Sequence, residues 1–108
     1  MKKLLSAIAV LAVQCLAAGV VRAQDVANGE KVFKAKCVSC HGPDGKGDTA
    51  AGKATKARDL SSDEVKKESD ATWADIITKG KNKMPAYDGK LTKDQIGDVV
   101  KFVRSLKK

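Results

Sequence analysis

Histidine, cysteine, proline and aromatic residues are all scarce in this 108-residue chain, which holds His 1, Cys 3, Pro 2, Trp 1, Tyr 1 and Phe 2. A single histidine excludes a two-histidine zinc finger, a dinuclear metal site and a pair of histidine haem ligands. Three cysteines cannot build a scaffold of several disulfides. No alternating apolar–polar stretch runs beyond about four residues, so no strand is expected. The length allows one small domain and excludes a large multi-domain enzyme. What remains is a chain of ordinary globular composition, 43% hydrophobic and 31% charged, without a low-complexity tract.

The first 23 residues stand apart. Met1, Lys2 and Lys3 form a basic start, and an apolar run from Leu4 to Val13 follows, broken only by Ser6. Val21-Arg22-Ala23 then places a branched residue at −3 and alanine at −1 of a cleavage point before Gln24. This is the pattern of a secretory signal peptide, expected over 1–23, with a functional domain over 24–108. An uncleaved anchor is the competing reading, but Gln14 and Cys15 interrupt the run. Cys15 follows Gln14, not the small residue that lipoprotein processing prefers. Removal of Lys2, Lys3 and Arg22 lowers the formal charge from +8 to +5 and leaves two cysteines, one histidine and one methionine. In an oxidising compartment two free thiols pair unless something else consumes them.

The remaining sequence reads as helices joined by long loops. Asp25 caps a first helix whose apolar positions are Val26, Gly29, Val32, Phe33 and Ala35. Gly29 inside it costs about 1 kcal/mol against alanine, so a close approach is expected there. His41 to Arg58 reads as a wrapped loop. Ser61 with Glu64 suggests a short helix to about Glu68, and Asp70 caps another that carries Trp73, Ile76 and Ile77 to Gly80. Lys81 to Gly89 is loop. Thr92 with Gln95 opens a last helix bearing Ile96, Val99, Val100, Val103 and Leu106 on one face, with Phe102 at its margin. The expected fold is all-α. Four aromatics (Phe33, Trp73, Tyr87 and Phe102) are a thin core for so small a domain, and small domains usually add a metal, a cofactor or a cross-link.

Cys37-Val38-Ser39-Cys40-His41 is the C-x-x-C-H signature of covalent haem attachment. Residues at i, i+3 and i+4 share one helical face, so both sulfurs and the imidazole can address one flat ligand. Three other readings compete. A redox disulfide would need a strand–helix context, a zinc site would lack a fourth soft ligand, and a simple disulfide needs only chance. A six-coordinate haem iron requires a second axial ligand, and after trimming the chain offers one methionine, Met84. Methionine is usually core filler. Met84 instead sits in the polar loop Lys81-Asn82-Lys83-Met84-Pro85-Ala86-Tyr87, with a proline behind it that favours extended backbone.

Asp25 to Phe33, then Cys37 to Gly42, then Met84-Pro85-Ala86-Tyr87, then a terminal helix with Phe102, together resemble class I cytochrome c, nearest to the short monohaem carriers of bacteria and photosynthetic organisms. The resemblance spans essentially all of 24–108. It implies crossing N- and C-terminal helices with Gly29 and Phe33 meeting Phe102, and short helices and long loops wrapped around one haem. It also implies haem c held by Cys37 and Cys40, with His41 the proximal and Met84 the distal ligand to iron. Many members use a proline carbonyl to accept from the proximal imidazole. This chain has only Pro43 and Pro85, so a carbonyl between Arg58 and Leu60 is expected instead. Arg58 and Trp73 are candidates for the haem propionates.

The function expected is that of a one-electron carrier, not an enzyme, since both axial positions are taken and no site for substrate remains. Lys79, Lys81 and Lys83 flank Met84 without an intervening acid and would steer a redox protein partner with an acidic docking surface. Lys101, Arg104, Lys107 and Lys108 read as solvated charge that suits a helix C-terminus. No motif supports nucleic-acid binding. The protein is expected to be a monomer in the periplasm, or in a thylakoid-lumen-type compartment if photosynthetic, meeting membranes only through redox complexes. A sensory haem protein with a labile Met84, or a haem-free binding module with a Cys37–Cys40 disulfide, are the alternatives.

Overall fold

The computed structural model describes residues 24–107. The expected signal peptide over 1–23, and Lys108, lie outside them. The described residues form six helices: α1 (Val26–Lys36), α2 (Val38–His41), α3 (Ala50–Thr55), α4 (Asp63–Lys66), α5 (Asp70–Lys79) and α6 (Lys93–Ser105). No strand occurs among the described residues, as the missing alternation predicts.

Local chemistry sets most helix starts. Asp25 accepts from the backbone N–H groups of Ala27 and Asn28 at 2.8 and 3.3 Å, which caps α1. Thr92 and Gln95 form the reciprocal capping box expected for α6. Two caps fall one residue from their expected places. Ser62, not Ser61, caps α4, and Ser69, not Asp70, caps α5. Ser61 is withdrawn because it is buried, its hydroxyl donating to Asp59 at 2.5 Å. Helix α3 lies inside the segment read as loop. Its residues are alanine, glycine, lysine and threonine, so it carries no large apolar side chain to reveal a period.

The α1–α6 crossing is the main contact of the fold. A Cβ on Gly29 would lie 2.0 Å from the carbonyl oxygen of Asp98 and 2.9 Å from the Phe102 Cβ, so only hydrogen permits this approach. Beside it the Phe33 and Phe102 rings pack tilted, 5.2 Å between centroids. Asp98 is buried in α6 and accepts from the Asp25 N–H at 2.8 Å, which pins the start of α1 to its partner helix. Val26 and Ala35 are exposed and do not join the stripe. Gly29→Ala is expected to destabilise the protein by about 2–3 kcal/mol, despite the better helix propensity of alanine, because α6 backbone has to move. A lower denaturant midpoint at unchanged m-value checks this, and a midpoint equal to wild type would contradict the close crossing.

Core residues Phe33, Val65, Trp73, Val99, Val100, Phe102 and Val103 draw on α1, α4, α5 and α6. Arg104 braces the last three elements together. Its guanidinium donates to the Asp70 carboxylate and the Lys66 carbonyl, both at 2.6 Å, and to the Glu68 carbonyl. It also stacks 3.7 Å over the Trp73 ring. Arg104 is therefore structural, which corrects its grouping with the solvated C-terminal charges. A charge pattern alone does not show that an arginine faces a turn with several open carbonyls.

Candidate cofactor site

The site begins where α1 ends. Cys37 closes α1 by donating its N–H to the Phe33 carbonyl at 2.8 Å, and it also opens α2. Cys37, Cys40 and His41 all line one cavity together with Phe33 of α1. Beyond His41 the chain doubles back. Gly47 N–H donates to the His41 carbonyl at 2.7 Å, and the Thr49 hydroxyl donates to the carbonyls of Ser39 and Cys40 at 2.8 and 3.1 Å. Helix α3 then lies against α2 through Gly52, where a Cβ would stand 2.2 Å from the Cys40 carbonyl oxygen. The unexpected helix thus holds the cysteine turn from outside.

Met84 is presented by an anchored loop. Lys81 and Met84 exchange backbone hydrogen bonds of 3.1 and 2.9 Å, with Asn82 at a φ of 54° inside the turn. Asparagine tolerates that left-handed geometry better than most residues. Tyr87 and Asp88 N–H groups return to the Ile77 and Thr78 carbonyls of α5 at 2.9 and 3.1 Å. The Tyr87 hydroxyl donates to the Lys36 carbonyl at 3.0 Å, one residue before Cys37. That bond joins the methionine loop to the cysteine turn.

Both segments face one cavity of about 350 Å³, whose wall includes Cys37, Cys40, His41 and Met84. This volume falls within the range of roughly 300–1,000 Å³ typical of cofactor pockets. Val99, Val100 and Val103 of α6 with Ile76 and Ile77 of α5 make much of the rest apolar. Lys36, Lys56, Lys81 and Lys83 also line it, and all four are exposed.

The electrostatics favour neutral ligands. Burial pushes the Cys37 thiol up to about 11. A thiol so disposed is not a ready thiolate nucleophile. Burial, and then the Arg58 charge, hold His41 below its ordinary range, which keeps the imidazole neutral. Burial raises Tyr87, with the nearby Cys37 and Cys40 adding to it. The two cysteines are not joined to each other.

The residues fit a covalently held haem. The His41 Nδ1 is buried and has no hydrogen-bond partner among the described residues, an arrangement that costs about 1–3 kcal/mol in a polypeptide alone. An imidazole, two thiols and a thioether in one cavity wall are a donor set for a ring-held metal. The zinc alternative fares worse: among the described residues no group of three or more His, Cys, Asp or Glu side chains is arranged to hold a bare ion.

Two expectations need correction. No carbonyl between Arg58 and Leu60 accepts from His41. That segment meets the glycine loop through its donor side, Leu60 N–H to the Gly45 carbonyl at 2.7 Å. Lys79 does not join Lys81 and Lys83 as open charge, since it pairs with Asp75 at 2.9 Å one turn back on α5. Arg58 and Trp73 do line the cavity, but the polar ends of both reach Glu68. Sequence reasoning missed Glu68, Thr49 and the role of Tyr87. Only Tyr87 carried a signal, as the one tyrosine placed just after the methionine loop.

Comparison with known proteins agrees along most of the described chain. A family model described as "Cytochrome C oxidase, cbb3-type, subunit III" matches residues 24–103. Cytochrome c6 of Nostoc sp. is 41% identical over 81 residues, covering 75% of this chain and 70% of that protein. Cytochrome c6 of Diacronema lutheri is 35% identical over 81 residues, covering 75% of this chain and 95% of that one. Among solved structures, the KustC0563 c-type cytochrome superposes with a TM-score of 0.69 at 33% identity, over 74% of this chain and 98% of its own.

Proposed function

Since the chain belongs to the class I cytochrome c family and carries electrons on a covalent haem c, we propose that Cys37 and Cys40 attach that haem and that His41 and Met84 are its axial ligands. The observation that carries this reading is a single cavity whose wall contains all four residues. The haem iron supplies a one-electron couple. The chain's own residues set how that couple behaves. His41, kept neutral by burial and the Arg58 charge, offers a free lone pair. Met84 offers a soft thioether, which favours the reduced metal and raises the potential. Its loop is tied at Ile77, Thr78 and Lys36, so the sulfur is held in place through a change of oxidation state.

His41 and Met84 would hold the haem iron between them and would leave no coordination position for a substrate. The reading is therefore a carrier and not an enzyme. No described helix is long and apolar enough to cross a membrane. The leader pattern over 1–23 supports export of a chain beginning at Gln24 to the periplasm or a lumen of thylakoid type.

Four exposed lysines at the cavity mouth favour a redox partner with an acidic docking face. Lys81→Glu combined with Lys83→Glu is expected to slow electron transfer to an acidic acceptor roughly tenfold at low salt, with the difference vanishing as ionic strength rises. Stopped-flow absorbance across a salt series measures it. A wild-type rate independent of salt would rule out the docking face.

A further inference from the structure

We propose that Glu68 is a potential-setting residue of the haem site, its carboxylate positioning Arg58 and Trp73 in the cavity wall and balancing the Arg58 charge there. The inference rests on the haem reading above.

Glu68 is not a wall residue itself. Its Oε1 accepts from Arg58 Nη2 at 2.8 Å, its Oε2 from Arg58 Nη1 at 3.3 Å, and its Oε1 also accepts from the Trp73 indole N–H at 3.2 Å. A two-point guanidinium–carboxylate fork fixes direction as well as distance. Both donors belong to residues of the cavity wall, so one carboxylate outside the wall holds two side chains that line it. The position of Glu68 is fixed in turn, because Arg104 donates to its backbone carbonyl while stacking on Trp73. This is more order than an ordinary surface pair receives.

Charge is the reason it matters. Arg58 lines the same cavity wall as His41, and its guanidinium pairs with Glu68 at 2.8 Å. An uncompensated guanidinium in this wall would disfavour the ferric state, which carries one more positive charge than the ferrous. The Glu68 carboxylate, on a side chain 27% exposed, offsets it.

Spectroelectrochemical titration of purified holoproteins tests this. Glu68→Gln is expected to raise the midpoint potential by a shift equivalent to about a three- to tenfold change in the oxidation equilibrium. Arg58→Gln is expected to lower it, the double variant to fall between them, and Glu68→Asp to stay nearer wild type than Glu68→Gln. Shifts of one sign for both single variants, or no shift for Glu68→Gln in a folded holoprotein, would overturn the inference and leave the haem reading intact. A wild-type protein with no reversible haem band would overturn both.

Discussion

Cys37→Ala combined with Cys40→Ala is expected to leave little folded protein in the exported fraction, at least tenfold less than wild type. The argument is one of core volume. Three aromatics, Phe33, Trp73 and Phe102, anchor the core, and Phe33 and Trp73 border a cavity whose inner wall is largely apolar. Left unfilled, the apolar wall of this cavity of about 350 Å³ forfeits its packing, and a single large-to-small change in a core already costs about 2–5 kcal/mol. The whole stability of a small domain is roughly 5–15 kcal/mol. Without thioether links the cofactor is held only by its ligands and contacts, and exchange leaves the cavity open. Immunoblotting of the exported fraction gives the answer. Normal accumulation of the double variant would mean that the valine face of α6 closes the space unaided.

Met84→Ala has the second-largest expected effect, and it falls on function more than on folding. The attachment residues are untouched, so the mass increment of bound haem should persist. The midpoint potential should fall by roughly 0.1–0.3 V, a substantial part of the ~0.8 V over which axial ligands move haem proteins. The ferric sulfur-to-iron charge-transfer band should vanish, and added imidazole or cyanide should bind where wild type excludes it. The loop itself should remain, because Lys81, Tyr87 and Asp88 anchor it through backbone and hydroxyl groups. An unchanged spectrum would remove Met84 from the iron.

The distinction between what was readable in advance and what was not follows the range of the interactions. Cys37, Cys40, His41 and Met84 announce themselves because their chemistry is rare in the chain and their spacing is local. The capped starts at Asp25 and Thr92 are equally local, and they stand where expected. Gly29 signalled a close approach by its cost alone, and Asp98 and Phe102 supply it. Helix α3 was hidden because small residues pack by letting backbone approach backbone, which leaves no hydrophobic period. Glu68 and Arg104 were hidden for another reason. Apart from the Glu68–Trp73 pair, their partners lie 10 to 38 residues away along the chain, and a charged residue at such distance reads as surface until the fold is known.

The central claim is that this cavity holds one covalent haem c ligated by His41 and Met84. The most direct measurement is an optical redox titration of the purified native protein, followed from the visible haem bands to the ferric charge-transfer region. The account predicts one reversible one-electron transition with the sulfur-to-iron band present in the oxidised form. A transition without that band would contradict Met84 ligation, and no haem transition at all would contradict the account as a whole.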